Sequence, residues 1–343
     1  MKILHTSDWH LGHTLYNYDR TAEQQAFLRQ LTRIVTEEQP DAMVVSGDIY
    51  HYSSPAAATQ KMYTDAMLNI HQACPEMTIV VTAGNHDSSS KLEIDSSLWQ
   101  HFGLNVVGNI ERTAEEVNLD KHIIEVKNGQ ETKGYVIAVP HVYPQNFPLL
   151  DTETPRDQRQ TRFFQALLDE VKKRNTAQLP VVLMAHLSIE GSDRSGHDES
   201  IGGIEYVPLS AMGEGYDYLA LGHIHCPQDI KGSHHHARYC GTPLPVSFDE
   251  TYPHSVSIIE LEKGAEPQIS TREIENPIPL VTLPHDPTPF EDALKLLEEY
   301  PEEKPAYLRL NVLTKGYLPP DCNEKASNAA KGKACLLYTS PSP

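Results

Sequence analysis

The chain has 343 residues, of which 39% are hydrophobic and 22% are charged, a composition typical of a folded globular protein and not of a disordered one. Its length accommodates one large domain with a smaller addition, or two domains. The formal net charge of −19 argues against direct attraction to a polyanion such as DNA, although carboxylates that hold divalent cations would reverse the local field.

The hydrophobicity of the sequence predicts neither a membrane helix nor a secretory signal. No stretch approaches the roughly 20 apolar residues that a membrane helix needs, and the N-terminus enters a strand pattern without the apolar segment of a secretory signal. The five cysteines are scattered, with no C-x-x-C pair. These features predict free thiols and a cytoplasmic protein with no membrane association.

Predicted strands and helices alternate in the first half of the chain. Short β-branched, apolar runs predict strands at 2–6, 42–45, 78–81 and 105–107, and apolar residues at helical spacing predict helices at 21–40, 55–74 and 90–102. Further on, the patterns predict strands at 135–139, 181–185 and 217–221, a helix at 156–175 and antiparallel strands near 239 and 255–261. A polar segment at 189–203 is expected to be a mobile loop. The alternation indicates an α/β sheet in the first half and a second sheet later.

Composition changes near residue 276, where five prolines fall between positions 277 and 289. A predicted helix at 290–300 and a strand at 306–313 follow. We interpret 1–275 as the main domain, 276–324 as a small α+β domain cut short at its C-terminal end, and 325–343 as an irregular tail, foreign to the fold or disordered.

Side chains that can hold metal ions recur where the predicted strands end. In chain order they are Asp8, His10, Asp48, Asn85, His186, His223 and His225. The carboxyl ends of strands meet at one edge of an α/β sheet, so these side chains are expected to lie together. Residues two apart in an extended chain point the same way, which suits the pairs Asp8/His10 and His223/His225 to a shared site.

The stretch Gly84-Asn85-His86-Asp87 joins three of these chemical groups at one strand end. The whole set mixes carboxylate, imidazole and amide with no cysteine, which suits Mn²⁺, Fe²⁺ or Zn²⁺ better than a thiolate-bound metal. Seven candidates are too many for one ion, and they suit two ions about 3.5–4 Å apart that share a carboxylate.

The order of these motifs resembles the calcineurin-like metallophosphoesterase superfamily, D-x-H…G-D…G-N-H-D…H…G-H-x-H. It stands here as Asp8-Trp9-His10, Gly47-Asp48, Gly84-Asn85-His86-Asp87, His186 and Gly222-His223-Ile224-His225. The stretches 5–12, 45–50 and 239–248 are more specifically similar to the SbcD nucleases of bacterial double-strand-break repair. The resemblance implies a four-layer αββα sandwich of two mixed sheets, followed by a small C-terminal α+β capping domain at 276–324.

Roles for individual residues follow from the resemblance. It implies that Asp8, His10, Asp48 and His225 bind one divalent metal ion and that Asp48, Asn85, His186 and His223 bind a second. The metal is expected to be Mn²⁺. His86 is then no ligand but the catalytic residue that protonates or stabilises the leaving 3′-oxygen, and Asp87 orients His86 or its loop.

The resemblance also implies an activity and partners. The expected activity is that of a DNA nuclease, a 3′–5′ exonuclease on duplex ends and an endonuclease on single strands and hairpins. An SbcC-type coiled-coil ATPase would be its partner in repair and recombination and would supply the DNA affinity that an acidic chain lacks. Two alternatives stay open: a small-molecule phosphodiesterase or phosphatase with the same centre, and a scaffold without activity.

Other residues carry weaker expectations. Tyr16, Tyr18 and Arg20 either contact DNA or belong to a solvated loop. His13, His51, His141 and His197 receive no role, and 233–236 is expected to be an exposed hairpin loop. Apolar residues of the second and third helices are core by default, and the resemblance suggests that part of their surface forms a homodimer: Met62, Ala66, Met67, Ile70, Leu98 and Trp99.

Overall fold

A computed structural model describes residues 1–112, 116–195, 206–313 and 316–338. Its α-helices are α1 (Thr21–Glu38), α2 (Ala57–Ala73), α3 (Ser89–Leu92), α4 (Ser96–Trp99), α5 (Arg159–Arg174), α6 (Phe290–Glu299) and α7 (Cys322–Ala330). Its strands are β1 (Lys2–Thr6), β2 (Ala42–Ser46), β3 (Thr78–Thr82), β4 (Leu104–Val107), β5 (Ile123–Asn128), β6 (Glu131–Ala138), β7 (Val181–His186), β8 (Ser188–Ile189), β9 (Tyr206–Val207), β10 (Tyr218–Gly222), β11 (Gln228–Asp229), β12 (Ala237–Tyr239), β13 (Ser255–Glu260), β14 (Gln268–Glu273), β15 (Leu280–Thr288), β16 (Ala306–Val312) and β17 (Cys335–Tyr338).

Two mixed sheets of six strands form the main body. The first has the order β14-β13-β1-β2-β3-β4, with β1 to β4 parallel and β13 and β14 antiparallel at one edge. The second has the order β11-β12-β10-β7-β6-β5, with parallel pairing from β12 to β6 and antiparallel strands at both edges. The parallel centres leave the carboxyl ends of β1, β2, β3, β7 and β10 free to carry the site.

Alternation along the central strands divides the core into layers. On β2, Val44 faces the space between the two sheets, whereas Met43 and Val45 face helices α1 and α2. On β7, Val182 and Met184 face the same inner space, and the other side of that sheet packs against α5. Each of these strands has apolar residues on both of its faces, which explains why its sequence is continuously hydrophobic. The four-layer αββα sandwich is therefore confirmed.

Residues 280–313 and 316–338, called here the C-terminal unit, form a parallel sheet in the order β15-β16-β17, with α6 and α7 packed on it. The interpretation of 325–343 as an irregular tail differs from this structure, because 325–330 complete α7 and 335–338 form β17. Ala326 and Cys335 are buried in the small core of the unit, and these single contacts leave no periodic signal in the sequence.

The helix expected at 90–102 is instead two short helices, α3 and α4, followed by a 3₁₀ turn at Gln100–Phe102. Much of the polar segment at 189–203, including His197, lies outside the described residues, so the expectations for it stay untested. The described helices include none that is both long and apolar enough to span a bilayer.

Candidate metal centre

The seven predicted ligands come together at the carboxyl ends of five strands. Asp8 and His10 follow β1, Asp48 follows β2 and Asn85 follows β3, all in the first sheet. From the second sheet, His186 ends β7, and His223 and His225 follow β10. Because the two sheets pack face to face, their strand ends meet at one edge of the sandwich. Six of the seven side chains belong to buried residues, and Asn85 is half-buried.

One group of ligand atoms comes from Asp8, His10 and His225, whose atoms all lie within 4.8 Å of one another. Nε2 of His10 is 3.2 Å from Nε2 of His225. Two imidazoles that present the same kind of nitrogen to one point, beside a carboxylate, form the ligand arrangement that a divalent ion needs.

A second group contains Asp8, Asp48 and His186 within the same 4.8 Å limit. Oδ2 of Asp48 is 3.4 Å from Nε2 of His186 and 3.9 Å from Nε2 of His10, so this carboxylate lies between the two groups. Oδ1 of Asn85 is 3.0 Å from Nε2 of His186 and 3.0 Å from Nδ1 of His223.

Hydrogen bonds behind the ligands fix the orientation of two imidazole rings. Nδ1 of His186 donates to the carbonyl of Ser46 at 2.8 Å, which leaves Nε2 to exchange a proton or offer a lone pair. Nδ1 of His225 lies 2.9 Å from Oε1 of Glu250 and likewise leaves Nε2 facing His10. Metal-binding histidines in proteins are oriented by such contacts. The residues present therefore fit two divalent ions.

Backbone conformation concentrates strain at the same place. Asp8 (φ 53°), His10 (φ 44°), Asp48 (φ 52°) and His223 (φ 97°) all have positive φ although none is glycine. Non-glycine residues rarely adopt this region, and it costs roughly 1–3 kcal/mol per residue. Four strained residues among seven ligands indicate that the fold holds these side chains in place for chemistry.

Two glycines of the motifs are required by close packing. A Cβ on Gly222 would overlap the carbonyl oxygen of Ser46, and one on Gly84 would overlap Oδ1 of Asp48. Any side chain at either position would therefore push β10 or the Asp48 loop out of place. Gly222 therefore lets the two sheets approach each other, and Gly84 lets the loops after β2 and β3 of the first sheet pack closely.

Electrostatics favour a positive charge at this edge. Burial by itself would raise the pKa of Asp48, but the charge of His186 and its hydrogen bond hold that pKa well below its ordinary value. Burial lowers the pKa of His186, yet the Asp48 carboxylate outweighs it and raises the pKa to about 9. Burial raises the pKa of Asp8 to about 6, against the opposing charge of His186. The buried carboxylates thus favour a positive charge, which a divalent ion would supply.

His86 lies beside the ligands, and its contact with Asp48 is made by the backbone. Its backbone N–H donates to Oδ1 of Asp48 at 2.9 Å, and its Nδ1 donates to the carbonyl of His51 at 2.9 Å. The ring centroid is 4.9 Å from that of His10. The contact with His51 uses Nδ1, so Nε2 is the other ring nitrogen that His86 offers beside His10.

Asp87 holds the loops that carry these residues. Its carboxylate accepts backbone N–H groups from Gly84 at 2.8 Å, Ile49 at 3.1 Å and Tyr50 at 2.9 Å. It thus ties the loop after β3 to the loop after β2. The loop that carries His86 is therefore held through the Asp87 carboxylate.

The three residues considered as DNA contacts have different surroundings, and Tyr18 is half-buried, with its hydroxyl donating to the carbonyl of Leu337 at 3.1 Å. Tyr16 is 37% exposed, stacks on Phe248 with ring centroids 5.8 Å apart, and lines a cavity of about 310 Å³ that also exposes His10, Asp48 and His86. Arg20 is 2% exposed, and its guanidinium contacts Glu23 and the carbonyl of Pro245. The structure therefore places Tyr16, but not Arg20, where a nucleic acid could reach it.

Histidines without an expected role have varied surroundings. His51 lies inside the site, with its Nδ1 3.5 Å from Nδ1 of His10, and a group of His10, His51 and His86 also has metal-binding geometry. No role was expected for His51, and the structure places it beside the predicted ligands. His141 donates through Nδ1 to the carbonyl of His186 at 3.1 Å. Residues 233–236 lie in the turn between antiparallel β11 and β12, as expected, but only His234 and His235 are exposed, since Ser233 is buried and His236 is half-buried.

Glu250 is the clearest residue that sequence reasoning misses. It is 6% exposed, follows no strand and lies in an irregular segment between β12 and β13. The one available signal is its position two residues after the segment 239–248, which carries the family resemblance.

Comparisons with known proteins agree with this geometry. Residues 1–227 match the calcineurin-like phosphoesterase family. The SbcD subunit of the nuclease SbcCD from Rhodobacter capsulatus is 34% identical over 309 residues, which are 87% of this chain and 75% of the relative. The protein of the same name from Escherichia coli K12 is 30% identical over 330 residues, 93% of this chain and 79% of the relative. That of Bacillus subtilis is 33% identical over 273 residues, 78% of this chain and 68% of the relative. The chain therefore belongs to the calcineurin-like phosphoesterases and, within them, to the SbcD family of nuclease subunits.

Proposed function

We propose that this chain hydrolyses DNA phosphodiester bonds with two divalent metal ions, of which Mn²⁺ is the preferred one. The observation that carries the proposal is the convergence of seven ligands from two sheets, with Asp48 between the two groups and His86 beside them. A pair of ions in such a centre lowers the pKa of a water molecule and neutralises charge on the phosphate.

The protein's own residues have three further roles: binding the ions, protonating the leaving oxygen and contacting a base. We assign Asp8, His10 and His225 to one ion and Asn85, His186 and His223 to the other, with Asp48 shared. His86 presents Nε2 to the scissile phosphate and protonates the leaving oxygen, a contribution of about 10²–10⁴-fold for a well-placed general acid. Tyr16 offers an exposed ring at the rim, on which an unpaired base can stack.

The substrate and partner are inferred from the named relatives. We propose a 3′–5′ exonuclease on duplex ends and an endonuclease on single strands and hairpins, located in the cytoplasm and active in repair and recombination. The net charge of −19 means that the chain alone attracts DNA weakly. A partner of the SbcC type, a coiled-coil ATPase, would supply the missing DNA affinity.

A side-by-side assay tests the proposal. A labelled blunt duplex and a labelled hairpin are incubated with Mn²⁺, in parallel with bis-p-nitrophenyl phosphate and cyclic AMP. We expect cleavage of both DNAs, loss of all cleavage after chelation with EDTA, and recovery on adding Mn²⁺ that exceeds the recovery with Mg²⁺.

Each alternative gives its own result in this assay. Cleavage of cyclic AMP or the small diester with no cleavage of DNA would identify a small-molecule phosphodiesterase. Two bound metal ions with no cleavage of any substrate would identify a scaffold. The assay is repeated with an SbcC-type partner. DNA cleavage that appears only with the partner identifies a chain that needs help to bind DNA, and no DNA cleavage in either case identifies a chain that does not act on DNA.

We also propose a homodimer that uses the surface around α4. Of the apolar residues expected there, Met62, Ala66, Met67, Ile70 and Trp99 are buried in the core, whereas Leu98 is 57% exposed. Ile94, in the same segment, is 77% exposed. These two exposed apolar side chains, four positions apart, are the ones that a partner subunit would cover.

Sedimentation velocity over a range of concentrations measures this association. We expect the unchanged chain to form dimers and Leu98→Glu to be monomeric, because a buried charge without a partner opposes association. Leu296→Glu is the matched control, since Leu296 is also exposed (39%) but lies on α6 in the C-terminal unit. A chain that is monomeric at every concentration would contradict the dimer.

A further inference from the structure

Glu250 lies directly behind a residue that the proposed function assigns to a metal ion. Its Oε1 is 2.9 Å from Nδ1 of His225, and its Oε2 accepts the hydroxyl of Thr242 at 2.9 Å. Both oxygens of the carboxylate are thus engaged, and the residue is 6% exposed. From these contacts we propose that Glu250 is the positioning residue of the centre, which orients His225 and strengthens its binding to a divalent cation.

The contact between Glu250 and His225 determines which ring nitrogen of His225 carries the proton. A carboxylate can only accept, so Nδ1 of His225 carries the proton and Nε2 is the atom left for a metal. That Nε2 lies 3.2 Å from Nε2 of His10. A carboxylate behind a metal-binding histidine both fixes the ring and makes its free nitrogen a better donor.

Because Glu250 is buried, its contact with His225 matters energetically. A carboxylate removed from water costs several kcal/mol unless charge and hydrogen bonds compensate it. The ion pairs of the described residues give Glu250 the partner His225 and no lysine or arginine. Its compensation therefore comes from the Thr242 hydroxyl and from His225 of the metal centre, so the carboxylate and the centre depend on one another.

Residues of the C-terminal unit contact the segment that carries Glu250 and hold it in place. Arg309 on β16 donates to Asp249 at 2.8 Å and lies 5.1 Å above the ring of Phe248. Phe248 in turn packs with Leu15 and Tyr307. These contacts explain how an irregular segment can place a carboxylate accurately enough to orient a metal ligand, and they connect the C-terminal unit to His225.

Metal binding itself tests the inference, which rests on the proposed two-metal centre and not on DNA cleavage. Isothermal titration with Mn²⁺ on the full chain, without DNA, measures the affinity of each ion. We expect Glu250→Ala to lower the affinity of one ion by about 10–100-fold, the usual effect of removing such a contact, and to change the other much less. A chain that binds two Mn²⁺ ions but does not cut DNA would contradict the nuclease and leave this inference intact.

Two further variants separate positioning from folding. Glu250→Gln keeps an oxygen for Nδ1 of His225 and is expected to restore most of the lost affinity, with the remaining deficit due to the lost charge. Glu260→Gln, an exposed glutamate at the end of β13, is the control for charge alone and should bind both ions as the unchanged chain does. Wild-type affinity for both ions in folded Glu250→Ala, or a lowered melting temperature with unchanged affinities, would overturn the inference.

Discussion

Replacing Asp48 with alanine is expected to remove metal binding from the centre and to lower the rate of phosphodiester cleavage by a factor on the order of 10³ or more. The reason is its position. Oδ2 of Asp48 lies 3.4 Å from Nε2 of His186 and 3.9 Å from Nε2 of His10, between the two ligand groups. Its charge also raises the pKa of His186 to about 9, so this carboxylate is the group around which positive charge gathers.

Metal content after gel filtration, measured by inductively coupled plasma mass spectrometry, checks this expectation. Asp65→Ala is the matched control, since Asp65 is an exposed aspartate on α2 that pairs with Lys61 and lies outside the described metal groups. Melting temperatures of both variants show whether they are folded. An Asp48→Ala protein that keeps two Mn²⁺ ions would exclude the shared carboxylate.

Replacing His86 with alanine is expected to leave both metal ions in place and to lower DNA cleavage by about 10²–10⁴-fold. Its contact with Asp48 uses the backbone N–H, which alanine keeps. Its side chain donates to the carbonyl of His51, so the imidazole that is lost is not needed to hold a proposed ligand. The variant therefore separates proton transfer from metal binding.

The choice of substrate sharpens this experiment. A p-nitrophenolate leaves without needing a proton, so His86→Ala should lose much less activity on bis-p-nitrophenyl phosphate than on DNA. His101→Ala, a change at an exposed histidine outside the described metal groups, serves as the control. If metal content and activity fell together, His86 would be a ligand, as its grouping with His10 and His51 also permits.

That the strand-end side chains would come together was predictable because local chemistry and topology agree. Asp48 and His186 follow runs that are buried along their whole length, so the sequence marks both the strand and the point where a polar side chain must leave it. In an α/β sandwich those points share one edge. The four-layer architecture follows from the same alternation of buried strands and amphipathic helices.

The features that could not be predicted from the sequence depend on contacts between residues that are far apart in the chain. Arg20 looks like a solvated cation near the first motif, yet it is buried by Glu23 and by a carbonyl 225 positions away. Glu250 follows no strand, and its partner His225 is 25 positions earlier. His51 enters the site because its loop folds over His10. No periodicity records such pairings, so they require the three-dimensional structure.

The left-handed backbone of Asp8, His10, Asp48 and His223 links metal supply to protein survival. Each such residue opposes folding by roughly 1–3 kcal/mol, and the burial of neighbouring carboxylates adds to that cost. A cation that binds the folded centre and not the unfolded chain offsets the cost by mass action. A metal-starved cell would then hold a less stable protein that opens more often to proteases. Divalent metal would set the lifetime of the chain as well as its rate of reaction.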